Sequence, residues 1–268
     1  MESHRSLAVP LVRLLPALAL LAAGASAGWA QDKPVARLAC GAYEAVPSGM
    51  GAAGNPTRLS IQKEGRLLQT LSDWSVTRID CADFGIDKTP ELLVTTYSGG
   101  AHCCETLRVF ALGTSPRQVL EYASGDAAGF ELRDLNGDGR LELVVGDDSF
   151  AYFDDLCYSC SPSHLPLVAC ATDTGFQDCT VRFPDFLRSW MARYVDRLAA
   201  PGADVKNVEG AALGILAMSV LLGEEAAGLD IVRKTVATGE VMTWLEKARP
   251  HVRDWTRTRA KKLKAGRN

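Results

Sequence analysis

Short runs of apolar residues, separated by Gly, Asp, Ser and Pro, fill residues 35–183. Runs of this length between turn residues are typical of β-strands. The predicted strands are 58–62, 67–71, 76–81, 91–97, 105–112, 118–122, 129–134, 142–145 and 165–171. The stretch 45–57 is rich in glycine and proline, so it is predicted to be a loop.

The pattern changes at Pro184, where apolar residues begin to recur at helical spacing. The first apolar stripe consists of Leu187, Trp190, Met191, Tyr194, Val195 and Leu198. Residues 208–222 predict a nearly uninterrupted apolar helix. At about 1.5 Å per residue it reaches only about 22 Å, too short to cross a bilayer. Residues 226–265 are also predicted to be helical, with breaks at Gly239 and Pro250.

The N-terminus has the pattern of a secretory signal peptide. Arg5 and Arg13 flank the start of an apolar run at 14–23, which is too short for a membrane span. Small residues follow, and cleavage is predicted after Ala27 or Ala30. We therefore predict a signal peptide at 1–30, a β-rich domain at 31–183 and a helical domain with a basic tail at 184–268. The mature protein, without a transmembrane span, is expected to be periplasmic or secreted.

Potential oxygen ligands recur at every second position of one short stretch. Asp134, Asn136, Asp138 and Glu142 offer side-chain oxygens, and Arg140 offers its backbone carbonyl. Ca²⁺ takes about six to eight oxygen ligands, and alternate residues of a tight loop can point inward together. The sequence therefore predicts that these five residues bind one Ca²⁺.

Gly139 supports this interpretation because a residue without a Cβ can adopt the sharp turn that the loop needs. The loop is not an EF-hand, which requires a glutamate where this chain has Val145 and a helix where this chain has an apolar run. A DxNxDGxxE loop that leads into a strand resembles the FG-GAP and VCBS repeats of integrin-like β-propellers. That resemblance implies a calcium-binding β repeat. The alternative is a metal-free hairpin turn, since Asn-Gly and Asp-Gly both favour turns.

A second copy of the loop lies 51 residues upstream. Asp83, Asp87 and Glu91 match its first, fifth and ninth positions, and an apolar run again follows. In this copy Gly85 replaces the amide ligand, and Lys88 puts a positive charge where the turn glycine should be. We therefore predict a structural repeat that has lost its metal.

The repeat length bears on the fold. A period of about 40–50 residues is typical of one four-stranded propeller blade. Two recognisable units are too few to close a propeller of about four to eight blades. The predicted fold class is α+β, with an antiparallel, propeller-like β fragment followed by a small C-terminal helical domain.

Eight cysteines in an exported chain are expected to form disulfides. Cys170 and Cys179 flank a predicted hairpin turn at 173–175, which favours a bond between them. The adjacent Cys103 and Cys104 are expected to have two different partners, because neighbours in a strand face opposite sides. The remaining expected pairs are Cys103 and Cys104 with Cys157 and Cys160, and Cys40 with Cys81. Spacing alone leaves other pairings open.

A second motif is Tyr97-Ser-Gly-Gly-Ala-His102-Cys103-Cys104. It resembles a YxGGAHCC stretch of bacterial secreted proteins that carry FG-GAP-like repeats, and the resemblance covers residues 76–184. His102, Cys103 and Cys104 also form a candidate zinc or copper site, since imidazole and thiolate are ligands of these metals.

Charge is unevenly distributed along the chain. Residues 247–268 contain nine Lys or Arg and one Asp, although the whole chain has a net charge of −3. The acidic remainder favours cation binding and argues against nucleic acid. The basic tail is predicted to be frayed and solvated, with anionic lipid, a cell-wall polymer or the acidic body as alternative contacts.

These observations favour an exported, calcium-binding, disulfide-stabilised module that binds an envelope protein or polymer. The alternative is an envelope enzyme, a hydrolase or a thiol- or metal-dependent enzyme, that uses acidic residues such as Asp147 and Asp148 or the His102–Cys104 cluster. The sequence has no nucleophile elbow, HExxH motif or phosphate-binding loop.

Overall fold

The structure is a computed structural model, and it describes residues 35–51, 54–86, 89–99, 104–127, 129–236 and 239–264. In these ranges the chain forms twelve β-strands followed by a helical region. The described residues belong to one compact unit, Pro34–Asn268. The predicted signal peptide at 1–30 lies outside the described residues.

The described strands form three antiparallel sheets, and each sheet is a meander of four strands in chain order. The first contains β1 (Leu38–Cys40), β2 (Tyr43–Ser48), β3 (Arg58–Lys63) and β4 (Arg66–Ser72). The second contains β5 (Ser75–Ala82), β6 (Glu91–Tyr97), β7 (Glu105–Ala111) and β8 (Arg117–Gly125). The third contains β9 (Phe130–Arg133), β10 (Glu142–Asp147), β11 (Leu165–Thr172) and β12 (Gly175–Asp178).

The second sheet lies between the other two. Successive side chains of a strand point to opposite faces, so a strand buried throughout must be covered on both sides. Leu92 of β6 belongs to the same apolar cluster as Ile61 of the first sheet. Its neighbour Leu93 belongs to the same cluster as Leu143 of the third sheet. The three sheets therefore stack in chain order.

Four α-helices follow the sheets: α1 (Pro184–Leu198), α2 (Val205–Leu222), α3 (Glu225–Thr235) and α4 (Gly239–Thr258). By length and composition, α2 is the one helix of the described ranges that could cross a membrane. In the structure 61% of this helix is buried. Its residues from Glu209 to Ser219 are buried, and most of them lie in the apolar cluster formed by the helices.

The helices form their own core and also cover the third sheet. Phe186 of α1 lies in the same apolar cluster as Val168 of β11. Leu187, the next residue, lies in the helical cluster together with Leu165 at the start of β11. Trp190 packs against both clusters. The predicted α+β class with an antiparallel β region and C-terminal helices is therefore confirmed.

The nine predicted strands correspond to β3 to β11. The predicted loop at 45–57 is wrong at its start, because β2 continues to Ser48 and pairs with β3 along its whole length. The alternating burial of Tyr43 and Ala45 explains why this short segment is a strand. The β11–β12 hairpin has its turn between Thr172 and Gly175, where the sequence predicted one.

The predicted helix break at Pro250 is also wrong, because Pro250 lies inside α4. A proline removes one helical hydrogen bond and favours a kink. Here an apolar face on both sides of Pro250, which includes Leu245 and Val252, is buried against the other helices. Tertiary packing outweighs the local preference.

The basic tail is not frayed over its described part, residues 247–264. It continues from α4 into a 3₁₀ turn at Arg259–Lys262, and Lys264 then forms an antiparallel bridge with Glu121 of β8. Lys262 pairs with Asp147 and Asp148, each at 2.7 Å. The basic tail therefore contacts the acidic body of the protein, which was one of the alternatives that the sequence left open.

Three disulfides join described cysteines. The expected pairs Cys40–Cys81 and Cys170–Cys179 are present. The expectation that Cys103 and Cys104 pair with Cys157 and Cys160 is wrong, because Cys157 and Cys160 bond to each other within a tight turn. Cys104 is also disulfide-bonded. The state of Cys103 lies outside the described residues.

Candidate metal centre

The two related loops occupy equivalent positions in the second and third sheets. Each joins the first strand of its sheet to the second strand. Ala82 pairs with Glu91 at the base of the upstream loop, and Arg133 pairs with Glu142 at the base of the downstream loop. The two loops therefore have the same place in two consecutive four-stranded meanders.

The last glutamate of each loop has the same structural role. Glu91 Oε2 accepts a hydrogen bond from the Phe84 N–H at 2.8 Å, and Glu142 Oε2 accepts one from the Leu135 N–H at 2.9 Å. The two glutamates are 0% and 5% exposed. A buried carboxylate that accepts a backbone N–H ties the start of its loop to the following strand. Glu142, predicted as a ligand, thus also holds the loop closed.

The downstream loop folds around the Asp134 carboxylate. Its oxygens accept N–H groups of Gly137, Asp138 and Gly139 at 2.7, 3.1 and 2.9 Å. Gly137 and Gly139 have φ values of 74° and 83°, which side chains with a Cβ disfavour. The turn role predicted for Gly139 is therefore confirmed.

Three oxygen-bearing side chains converge in this loop. The Asp138 N–H lies 3.1 Å from both Asp134 Oδ1 and Asn136 Oδ1. The Asn136 amide in turn donates to Asp138 Oδ2 at 2.9 Å. The Arg140 N–H donates to Asp138 Oδ1 at 2.8 Å, and this bond, followed by that of Asn136, lowers the pKa of the Asp138 carboxyl. The loop therefore presents ionised, solvent-exposed oxygens close together.

The upstream loop is simpler where the structure describes it. Asp83 Oδ1 accepts the Gly85 N–H at 2.8 Å, which is an ordinary Asx turn. Asp87 and Lys88 lie outside the described residues.

One cleft adjoins both loops. It has a volume of about 440 Å³ and is lined by Asp83, Phe84, Gly85, Gly139, Arg140 and the 171–173 turn. The stacking of the second and third sheets brings these segments together. Two loops that are 51 residues apart in sequence thus share one surface.

A closed metal cage is absent from the described ranges. No group of three or more His, Cys, Asp or Glu side chains there is arranged to hold a metal ion. The donors that converge are two carboxylates and one amide, Asp134, Asp138 and Asn136. Each carboxylate oxygen has about two acceptor positions, so the backbone N–H bonds leave capacity for a cation. A Ca²⁺ site that uses water for its remaining ligands fits this donor set.

The second candidate cluster is only partly described. His102 and Cys103 lie outside the described residues. Cys104 is disulfide-bonded and so offers no thiolate to a metal.

The acidic pair considered for an enzyme is already occupied. Asp147 Oδ1 accepts from Lys262, and Asp147 Oδ2 accepts from the Trp255 indole N–H at 2.8 Å. Asp148 accepts from the same Lys262 ammonium at 2.7 Å. These partners could not be predicted from the sequence, because they lie more than a hundred residues away and no local pattern marks them.

No protein-family model matches the chain. An uncharacterised protein of Sinorhizobium fredii is 32% identical to it over 74 residues, which are 27% of this chain and 12% of that protein. A probable thylakoid lumen protein of Synechocystis is 34% identical over 79 residues, which are 28% of this chain and 23% of that protein. The chain therefore covers less than a quarter of either relative's length. No solved structure matches.

Proposed function

We propose that this chain is an exported binding or assembly module of the cell envelope whose loop at 134–142 binds one Ca²⁺. The observation that carries the proposal is the cluster of the Asp134, Asn136 and Asp138 side chains. The first two accept the same Asp138 N–H, and the Asn136 amide donates to the Asp138 carboxylate. Two negative charges in so small a volume repel each other, and a bound divalent cation would neutralise them. Arg140, through its backbone carbonyl, and Glu142 are the proposed additional ligands.

Calcium has a structural role in this proposal. The loop joins β9 to β10, and β10 packs in the middle of the third sheet. An ion that binds only the folded loop stabilises the fold by mass action. It would also fix the surface that the two loops share.

An exported location is supported by two observations. Three disulfides among the described residues are typical of proteins outside the reducing cytosol. One partial relative is described as a probable thylakoid lumen protein, and a lumen is also reached by export. A periplasmic or secreted location for this chain is the finer proposal.

The propeller-like interpretation remains part of the proposal. Three consecutive four-stranded meanders, stacked in chain order, are what consecutive propeller blades would give. The equivalent loops of the second and third sheets agree with an FG-GAP or VCBS type of repeat. In this interpretation the helices take the place of further blades, because they cover the outer face of the third sheet.

A binding role is favoured over an enzymatic one. Asp147 and Asp148 both pair with Lys262, and Cys104 is disulfide-bonded. These groups are therefore not available as a general base or a nucleophile. The partner that we propose is an envelope protein or polymer.

Calorimetry of the mature chain with CaCl₂ tests the calcium site. We expect one binding event, which Asp138→Ala abolishes because it removes a carboxylate at the point of convergence. The matched control is Asp83→Ala, which removes an exposed loop aspartate from the upstream copy and should leave the isotherm unchanged. Two sites of similar affinity, or an isotherm that Asp138→Ala does not change, would contradict the proposal.

The binding role is tested separately. The mature protein is used as bait in envelope extract, with and without calcium, and Asp138→Ala serves as the calcium-free reference. A partner retained only by the calcium-loaded parent protein supports an assembly role for the loop surface. Identical retention in all three samples would place the partner site elsewhere.

A further inference from the structure

A second cleft is lined by residues that the calcium proposal does not use. It has a volume of about 340 Å³ and lies between the 158–164 loop and α1. Pockets of about 300–1,000 Å³ are the usual size for small-molecule sites. Its lining combines aromatic rings, hydroxyl groups and two arginines.

The loop side of the cleft is held in place by several contacts. The Cys157–Cys160 disulfide closes the turn that carries Tyr158. Arg197 of α1 donates to the backbone carbonyls of Ser159 and Cys160 at 3.2 and 3.1 Å. A loop fixed in this way requires little ordering when a ligand binds.

Arg193 is the available cation of this cleft. Its guanidinium stacks on the Trp190 ring at 4.6 Å from the ring centre. Among the described residues no carboxylate lies within ion-pair distance of it, whereas Arg188, one turn earlier on α1, pairs with Asp185 and Glu224. A guanidinium fork placed over an aromatic ring is well suited to a planar or tetrahedral oxyanion.

The remaining wall is neutral and partly apolar. Ser163 Oγ lies 3.0 Å from His164 Nδ1, and the His164 ring contacts the Tyr158 ring. Burial lowers the pKa of His164, so its imidazole is neutral near pH 7. The Tyr194 phenol is also neutral, because burial raises its pKa to about 12. Aromatic walls beside one free cation favour a ligand with an apolar ring and one negative group.

We propose that this cleft binds a small molecule that carries a carboxylate or phosphate group on an apolar ring. Arg193 binds the oxyanion, and the rings of Trp190 and Tyr158 contact the apolar part. Ser163 and the neutral His164, which bond each other, form the polar part of the wall that orients the ligand. Arg197 acts as a positioning residue, since it holds the loop carbonyls.

Calorimetric titration of the intact mature protein tests this site with four probes: phenyl phosphate, benzoate, phenol and inorganic phosphate. Phenyl phosphate or benzoate should bind at least tenfold more tightly than phenol, which lacks the charge. The better of the two identifies the preferred oxyanion. Either should also bind more tightly than inorganic phosphate, which lacks the ring.

Arg193→Gln should weaken the best probe at least tenfold and lower the melting temperature only slightly, since Arg193 is an exposed side chain that loses only its contact with the Trp190 ring. Arg193→Lys should give an intermediate loss, because it keeps the charge but not the fork. The matched control is Arg233→Gln on α3, which removes an exposed helical arginine away from the cleft. The proposal is overturned if neither charged probe binds at millimolar concentration, if phenol binds equally well, or if Arg193→Gln and Arg233→Gln behave alike. If inorganic phosphate binds as tightly as the better charged ring probe, the proposal that the ligand carries an apolar ring is overturned.

Discussion

The Asp147 carboxylate shows how much a single buried charge contributes to this fold. Asp147 is 0% exposed and accepts hydrogen bonds from Lys262, Trp255 and Ser149. Burial by itself would raise the pKa of Asp147, but the Lys262 ammonium and these hydrogen bonds hold it below its usual value. Nearby, the Arg259 side chain is almost fully buried, and its Nε lies 3.0 Å from Asp178 Oδ2. The C-terminal segment is thus attached to the sheets through paired charges.

We predict that Lys262→Met destabilises the protein at neutral pH by about 3 kcal/mol or more, because it leaves the buried Asp147 charge without its partner. Chemical denaturation of the intact chain measures the loss. The control is Lys261→Met, the neighbouring exposed lysine, which should change the free energy of unfolding by less than about 0.5 kcal/mol. Equal losses in the two variants would show that the pair has no special role.

The pH dependence distinguishes charge loss from lost packing in the same variant. In the parent protein the pKa of Asp147 is lowered on folding, so its contribution is present above about pH 4 and is lost as the pH falls below that value. Without Lys262 the buried carboxyl should instead have a raised pKa, and protonation would then favour the folded state. The deficit of Lys262→Met should therefore shrink as the pH falls from 7 towards 4. A deficit that is constant with pH would indicate a packing effect only.

At the scale of elements, the contact between α2 and the disulfide turn depends on a missing side chain. A Cβ built on Gly210 would lie 1.8 Å from the Cys160 carbonyl oxygen. That carbonyl is fixed by Arg197 and by the Cys157–Cys160 disulfide. Gly214, one turn later, has the Tyr194 ring within 2.5 Å of its Cβ position. Two glycines on one face of α2 therefore permit close packing of the loop and of α1.

We predict that Gly210→Ala lowers the free energy of unfolding by about 1–3 kcal/mol, the usual cost of overpacking. In an open helix the same change would stabilise by about 0.5–1 kcal/mol. Gly239→Ala is the control, because no atom lies within 4 Å of its Cβ position at the start of α4. Thermal unfolding should show a fall for Gly210→Ala and no fall for Gly239→Ala. The same melting temperature in both variants would show that the turn can move away at no cost.

The sequence predicted the features that depend on neighbouring residues and did not predict those that depend on contacts between distant segments. Nine strands, the β11–β12 turn, the repeated loop and the start of α1 depend on spacing along the chain, and all were predicted. The β1 and β2 strands escaped prediction because each is short and gains its burial from neighbours in the first sheet. The Cys157–Cys160 bond was not predicted because the expected partners followed from strand geometry, whereas these two residues lie in a turn.

Site residues follow the same rule. The convergence of Asp134, Asn136 and Asp138 was predictable because their spacing is local. The pairing of Lys262 with Asp147, and the cleft that Arg193 shares with the 158–164 loop, required the packing of segments distant in sequence. A single sequence carries no periodic signal for such contacts.

At the scale of the whole molecule, the four layers make the sheets and the helices depend on each other. The first and third sheets cover the two faces of the second, and the outer face of the third sheet is covered by α1. Without the helices, Val144 and Val168 of the third sheet would be exposed. Phe150 and Leu165, which pack in the helical cluster, would also be exposed. Exposed apolar patches of this kind promote aggregation.

We therefore predict that a mature chain that ends at Pro184 aggregates, whereas the full mature chain stays soluble. A chain that ends at Thr258 keeps the four α-helices but loses Arg259 and Lys262. It should stay soluble and melt at a lower temperature, because Asp147 and Asp178 lose their partners.

Trp190→Asp in the full chain should also lower the melting temperature, since Trp190 packs against both the helical cluster and the cluster between α1 and the third sheet. Size-exclusion chromatography and calorimetric melting measure these outcomes. A soluble fragment ending at Pro184 with a cooperative transition would show that the sheets fold on their own, and the covering role of the helices would then have to be abandoned.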